Sequence, residues 1–269
     1  MSDWRCNLKN WALEVSRGNV PGMGHVNKFG RNIEIDSGVR ADIWDGGYTV
    51  GSGGVSLIWV APTAARIHAI ESSSDLDGKT AAPSSVGART VRVYGLTDWD
   101  TAESSEDITL DGTTAVNTVS AYVIIHRIKC LTWGTSGPNA GTIKATAASD
   151  GTITAQIEIS KGQTQMAIYG VPSIQTAYVE SFYAEMNKSG GASAVCDIDL
   201  CINPDAATDE TAFITKHTSG LLSTGTSHFN HAFSIPNAFA GPAIIKMQAL
   251  SGTNNVDISS GFDIVLVDN

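Results

Sequence analysis

The sequence predicts an all-β protein, and three observations support this prediction. Charged residues make up only 16% of the 269 residues, 27 residues are glycine, and the Glu-, Lys- and Leu-rich runs that are typical of helices are scarce. Short apolar segments alternate with turn sequences such as LDGTT (110–114) and SDGT (149–152). Within several of these segments the apolar residues recur with a period of two. We therefore expect an antiparallel, jelly-roll-like β-sandwich with a short N-terminal helix and an extended arm.

The first 36 residues contain one helical pattern, followed by a segment that favours neither a helix nor a strand. Over 3–17 the apolar residues fall at helical spacing, and Asp3 and Gly18 can cap the two ends. This apolar stripe consists of Trp4, Leu8, Trp11, Ala12 and Val15. The next segment, GNVPGMGHVNKFGRNIEID (18–36), is rich in Gly and Asn, basic, and only sparsely apolar. It predicts an extended arm that is a poor strand.

From about residue 55 onward the spacing of apolar residues predicts strands. The segment 153–159 alternates most clearly in the first half and predicts a half-buried strand. In SAVCDIDLCI (193–202) one apolar face is formed by Ala194, Cys196, Ile198, Leu200 and Ile202. A second strand series begins near 171–173. The predicted domains are a helix and arm (1–47), a β-sandwich (48–172) and a C-terminal, jelly-roll-like β-sandwich (173–269).

The formal charge of −10 is unevenly distributed along the chain. Residues 1–40 contain six basic and four acidic groups, which leaves a charge of −12 on the remainder. An acidic body argues against nucleic acid or an anionic membrane as a partner. The start of the chain lacks the apolar region of a signal peptide, and no run of roughly 18 apolar residues predicts a membrane span. The four cysteines have no framework spacing and predict free thiols in a protein made in a reducing cytoplasm.

Short motifs that could carry chemistry are few, and each has a plainer interpretation. His228 and His231 form the only close histidine pair, but a predicted strand would place them on opposite faces. The acidic loops at 75–78 and 98–100 lack the remaining ligands of an EF-hand, and Asp-Gly is also common in ordinary turns. No phosphate loop or nucleophile elbow occurs. We therefore predict no catalytic residue, no metal and no cofactor, although a carboxylate pair formed only in the fold stays open.

Several motifs in the first two thirds of the chain resemble a family of tailed-bacteriophage virion proteins. They begin with GNVPG (18–22), VNKFGRN (26–32) and DIWDGG (42–47). They continue with SSSDLDG (72–78), GARTVRVYGL (87–96), SEDITLDGTTAV (105–116), GTIKATA (141–147) and TAQIEISKGQTQMAIYGVP (154–172). The resemblance implies a non-enzymatic structural component of the virion, of the capsid decoration (cement) or head-fibre type.

The resemblance also implies partners and a location. We expect the protein on the outer shell of the virion, bound to the major capsid protein and to sister subunits, most simply as a homotrimer. The arm would anchor it through Trp4, Trp11, Val26, Lys28, Phe29, Arg31 and Trp44. The alternative for this segment is that it wraps its own sandwich or a sister subunit.

Two other functions remain to be compared with capsid decoration. A tail fibre or adaptor component would bind a host surface glycan or protein, with Trp99 and Trp133 as candidate ligand contacts because exposed aromatic rings stack on sugars. Either ring can equally be a core residue. A polysaccharide depolymerase is disfavoured, because such enzymes are typically repetitive β-helices and the sequence has no internal repeat.

Overall fold

The computed structural model describes residues 11–44, 57–78, 86–188, 193–223 and 226–269, without the side chains of 33, 34, 223 and 226. It confirms the predicted all-β class with antiparallel sheets and one short N-terminal helix. The helix is α1 (Trp11–Ser16). Of the helix predicted over 3–17, residues 3–10, including Trp4, lie outside the described residues.

Sixteen strands are assigned within the described ranges. They are β1 (Met23–Ile35), β2 (Arg40–Asp42), β3 (His68–Ser72), β4 (Ala88–Leu96), β5 (Ser104–Thr109), β6 (Val116–Asn117), β7 (Ile124–Trp133), β8 (Ile143–Ala147), β9 (Ile153–Ile157), β10 (Ile168–Val171), β11 (Gln175–Lys188), β12 (Ala194–Asn203), β13 (Ile214–Ser223), β14 (Thr226–Ala240), β15 (Ala243–Ser251) and β16 (Val256–Asp268).

Two sheets enclose the first hydrophobic core. One has the strand order β1-β16-β11-β14, and the other has the order β10-β15-β12-β13, with β2 also paired to β15. Their alternating apolar faces meet, as in β12, where the five residues predicted to share a face are all buried. The largest buried side chains of this core include Ile35, Ile43, Phe182 and Phe262. We call this unit, built from residues 11–43 and 167–269, the sandwich.

One strand position of the sandwich is interrupted by a long insertion. β2 and β10 pair in the same direction with successive parts of β15, over 248–250 and 243–246. At the gap between them, the Ile43 amide donates to Met247 O (3.0 Å), and the Met247 amide donates to Ala167 O (3.0 Å). The Ala167 amide donates to Ile43 O at 2.8 Å. The chain therefore leaves the sandwich after residue 43 and returns at 167, directly beside its point of exit.

We call residues 44–166 the insert, and its described residues form two smaller sheets. Their strand orders are β6-β3-β8-β9 and β5-β4-β7, and both are antiparallel. A second hydrophobic core lies within the insert and includes Trp44, Trp59 and Tyr122. Sandwich residues Ile168 and Ile244 are buried in this same core. Apolar contacts thus join the insert to the sandwich.

The interpretation of 18–36 as a poor strand was wrong for residues 23–35. These residues form β1, which pairs with β16 from Met23 opposite Val267 to Ile35 opposite Val256. A long apolar partner strand outweighs the weak strand preference of Gly and Asn. Close packing requires glycine at position 30, because a Cβ there would lie 2.6 Å from Gln165 O. The predicted helix and arm (1–47) and the predicted C-terminal sandwich (173–269) therefore contribute strands to the same two sheets.

The strand predicted over 153–159 is present as β9, but it is not half-buried. Thr154 and Gln156, expected to face solvent, are buried together with Ala155 and Ile157. The Trp59 indole Nε1–H donates to Thr154 O at 2.9 Å, which places the Trp59 side chain against this strand. The polar members of the alternation are therefore covered by another part of the insert.

Candidate functional site

A buried ionic network lies where the chain leaves the sandwich. Asp42, at the end of β2, has a fully buried side chain whose Oδ2 lies 2.8 Å from Lys246 Nζ on β15. The same oxygen accepts the Trp59 amide at 2.8 Å, and Oδ1 accepts from Gln248 Nε2 at 2.8 Å. Burial raises the pKa of Asp42, and the Lys246 charge opposes that rise. Lys246 Nζ also lies 3.9 Å from the centroid of the Phe213 ring.

This network continues across the second sheet toward the surface. Arg40 donates through one guanidinium nitrogen to Gln248 Oε1 (2.7 Å) and to Asp199 Oδ2 (2.8 Å). Thr218 Oγ1 donates to Asp199 Oδ1 at 2.6 Å. Strands β2, β15, β12 and β13 are therefore tied together by paired polar groups. These contacts hold the register of the sheet at the junction with the insert.

A second polar cluster joins β1 to the insert. Lys28 is 6% exposed, and its Nζ donates to the backbone carbonyl of His126 on β7. Burial, assisted by the nearby Arg127 charge, lowers the pKa of Lys28 to about 7. His126 Nε2 lies 2.6 Å from Glu103 Oε2, and its ring centroid lies 4.4 Å from that of Tyr169.

The direction of the pKa shifts in this cluster defines its charge state. Burial lowers the pKa of His126, which favours the neutral imidazole donating from Nε2 to the Glu103 carboxylate. Burial alone would raise the pKa of Glu103, but the hydrogen bond from His126 and the nearby charges of Lys28 and Arg127 hold it below its ordinary value. Lys28, predicted as an anchor that meets acidic groups of a partner, is therefore engaged within its own chain.

The other predicted anchor residues occupy different environments. Trp44 is 1% exposed in the core of the insert, and Val26 packs against the core of the sandwich. Phe29 is half-buried on β1, and Arg31 lies 3.3 Å from Asp257 Oδ2 on the neighbouring strand. Trp11 is 40% exposed. The structure does not gather the described members of this set on one free surface.

Trp11 belongs to an apolar surface formed by α1 and the outer face of the first sheet, which we call the α1 face. Leu13 beside it is 44% exposed, whereas Val15 is buried and fixes the helix to the sandwich. A cleft of about 370 Å³ lies here, lined in part by Trp11, His25, Glu180 and Val265. The α1 face therefore combines exposed apolar side chains with a concave shape that a partner could fill.

The two candidate ligand-contact tryptophans lie in the insert, at opposite ends of β4. Trp133, at the end of β7, pairs with Ala88 at the start of β4 and is 50% exposed. Trp99 follows the far end of β4 and packs partly against the core of the insert. Eight residues of extended strand separate these ends by about 27 Å. The structure therefore does not bring the two rings together, and of the pair it is Trp133 that offers a ring to solvent.

The acidic loops have local structural partners. Asp77 is fully buried, and its carboxylate accepts four hydrogen bonds, from the amides of Ala88, Ala140 and Gly141 and from Ser72 Oγ. Asp75 accepts from the Thr113 amide and hydroxyl. Among the residues that the structure describes, no group of three or more His, Cys, Asp or Glu side chains could hold a metal ion.

Sequence reasoning missed both buried charge clusters. A signal was present in AIIKMQAL (243–250), where Lys246 is the one charged residue in an otherwise mostly apolar strand, as expected of a charge with a buried partner. No comparable signal marked Lys28, because its surroundings in the sequence are polar. The one helix in the described ranges has six residues, far fewer than a bilayer crossing requires.

Comparison with known proteins returned no family model and no curated protein that matches the chain. A solved structure of infectious bursal disease virus, Gt strain, aligns over 96% of this chain and 78% of its own, with 10% identity and a TM-score of 0.26. A mutant VP2 protein of infectious bursal disease virus from T=1 particles aligns over 91% and 68%, with 13% identity and a TM-score of 0.24. A VP2 subviral particle of the same virus covers 92% and 73%, with 11% identity and a TM-score of 0.22. At TM-scores this low, the likeness carries no argument about this chain.

Proposed function

We propose that this chain is a non-enzymatic structural component of a tailed-phage virion, most specifically a capsid decoration (cement) protein on the outer shell. The observation that carries the proposal is the strand order of the sandwich. With β2 and β10 counted as one interrupted strand, the eight strands occupy positions 1-8-3-6 in one sheet and 2-7-4-5 in the other. This order supports a jelly roll, an architecture of viral capsid domains, lectin domains and cupins.

The sequence resemblance favours the viral member of these three classes. Its motif VNKFGRN (26–32) forms part of β1, so the segment that resembles virion proteins is itself a strand of the jelly roll. Cupin chemistry would need a metal set, and the described residues contain no such group.

The proposed mechanism is mechanical. The α1 face would contact the major capsid protein, and the insert would extend from the edge of the second sheet, where residues 43 and 167 meet beside Met247 of β15. Contacts to neighbouring shell subunits would resist expansion by burying surface in the assembled state only. The acidic body, −12 over residues 41–269, suits an outer surface that does not compete for packaged DNA.

A pair of single substitutions tests this function. Trp11→Lys should abolish co-sedimentation of the purified protein with particles that lack it, because the change places a charge on the proposed contact. Trp133→Lys, at a tryptophan of similar exposure (50% against 40%), is the matched control and should bind normally. Full binding by a folded Trp11→Lys protein would contradict the proposed capsid contact.

A tail fibre or adaptor component is the second candidate, favoured by the exposed Trp133 ring at one end of the insert. An aromatic ring in this position can stack on a sugar face. In this case Trp133→Ala should lose binding on an array of host glycans, whereas Trp11→Ala should retain it. The number of copies per virion distinguishes the two roles. A copy number close to that of the major capsid protein supports decoration, whereas a small fraction of that number supports a position in the tail.

A further inference from the structure

On one side the sandwich ends in two strands that have no partner strand on their outer edges among the residues that the structure describes. β13 is the last strand of one sheet and β14 the last strand of the other, and the parts of the chain that the structure describes place no strand beyond either. We call the outer edges of these two strands the β13–β14 rim. An unpaired edge presents a row of backbone donors and acceptors that can pair with another chain.

The charge pattern of this rim differs from that of the opposite edge of the sandwich. β14, TSHFNHAFSIPNAFA, contains no Asp, Glu, Lys or Arg in 15 residues, and β13, ITKHTSGLLS, contains only Lys216. β1, the other edge of the first sheet, carries the part-exposed Arg31, 3.3 Å from Asp257 Oδ2 on β16. Edge strands that stay unpaired are commonly protected by charges. The β13–β14 rim has little of this protection in a chain whose net charge is −10.

Large apolar side chains are exposed along the same rim. Leu222 on β13 is 71% exposed, and Ile214 at the start of that strand is 49% exposed. On β14 the residues from Phe233 to Pro236 stand opposite Glu180 alone, in a bulge that projects Ile235, which is 83% exposed. These side chains are spread along the length of the rim, since Ile214 and Leu222 lie eight residues apart on β13, and each leaves apolar area exposed to water.

Between the two edges lies a seam of aromatic and imidazole rings. His217 of β13 and His231 of β14 have ring centroids 4.6 Å apart, and Phe233 lies 4.6 Å from His231. The Phe182 ring of β11 closes the seam from inside, 5.0 Å from His217. The outer rings of the seam are only partly buried. The rim therefore exposes the side of the sandwich core.

We propose that the β13–β14 rim is the surface on which a second copy of this chain docks. The inference rests on the proposed function, whose sister-subunit contact it locates. A second copy fits because both partners bring the same nearly uncharged edge. In most other relative orientations, two copies would bring acidic surfaces together, at an electrostatic cost. The unpaired edge of β13 in one copy can pair its backbone groups with the edge of β14 in the next copy, a head-to-tail contact that gives a ring when the rotation between copies closes.

Light scattering coupled to size-exclusion chromatography tests the proposal on the full chain, without particles. The wild type should elute as an oligomer, and the double variant Leu222→Lys, Ile235→Lys should fall to the mass of one chain. Both positions are exposed, so the folded monomer should tolerate lysine. Val119→Lys, at an 89% exposed position of the insert, is the matched control and should keep the wild-type mass.

Each outcome decides the inference. A monomeric wild type, or a double variant that keeps the oligomeric mass, would overturn it, and loss of mass in the double variant alone would support it. Circular dichroism of the three proteins verifies that a change in mass is not unfolding. Co-sedimentation with particles is measured separately, so a failure of self-association is distinguishable from a failure of the capsid role.

Discussion

The sandwich and the insert are both antiparallel β-structure, but they are assembled differently along the chain. The insert uses one continuous segment, and each of its sheets pairs strands from within that segment. The sandwich instead pairs β1 near the start of the chain with β16 at its end. The difference shows that an insertion of this length costs the sandwich little where its ends meet, as Ile43 and Ala167 do through a 2.8 Å hydrogen bond.

The two units also differ from their junction in the kind of group they bury. Their cores are mainly apolar, whereas the junction buries Lys28, Asp42 and Lys246. A buried charge is tolerated only with partners, and each of these residues has one across a strand or across the junction. We therefore expect substitutions in the insert, at the junction and at Lys28 to change the free energy of unfolding by different amounts.

The largest effect is expected inside the insert, at Asp77. Asp77→Ala removes the acceptor of four hydrogen bonds and leaves three amides without it, two of them buried, which should lower the free energy of unfolding by about 4 kcal/mol. Denaturant unfolding followed by circular dichroism measures this loss. Asp75→Ala, which affects only contacts to Thr113 at the surface, is the neighbouring control and should change little. Equal effects of the two substitutions would contradict the role of Asp77.

The junction should respond next, at Lys246. Lys246→Met leaves the buried Asp42 carboxylate without its cation and should cost about 3 kcal/mol. The double variant Asp42→Asn, Lys246→Met removes both charges and should recover part of this loss, as measured in the same unfolding experiment. If the double variant were as unstable as the sum of both single variants, the two charges would not be coupled.

The pH dependence of stability should reveal Lys28. Its pKa falls from 10.5 to about 7 on folding, so between these values the unfolded chain binds more protons than the folded chain. Stability should therefore rise with pH from 7 toward 10, with a contribution of up to about 1.4 kcal/mol per pH unit from this residue. The free energy of unfolding, measured at several pH values between 7 and 9.5, should rise less steeply with pH for Lys28→Met than for the wild type. Parallel pH profiles would show that Lys28 keeps its proton in the fold.

The residues that sequence reasoning placed well are those whose role depends on near neighbours. The shared face of Ala194, Cys196 and Ile198 followed from alternation alone, and all three are buried. Alternation also located β9, but it did not predict that Thr154 is buried, because Trp59, which contacts that strand, is nearly a hundred residues away in the sequence. The predicted anchor set mixed exposed and buried positions for the same reason: burial of Trp44 and Lys28 depends on strands that are distant in sequence.

What the sequence by itself determined about this protein is its all-β class, its short N-terminal helix and most of its turns. These features follow from local propensity and from a side-chain period of two, which a few consecutive residues suffice to define. Only the tertiary structure decided that residues 23–35 are a strand, that the insert interrupts one strand position, and that β13 and β14 are the last strands of their sheets within the described ranges. Strand pairing joins residues far apart in the chain, and its free energy comes from the partner strand as much as from the segment itself.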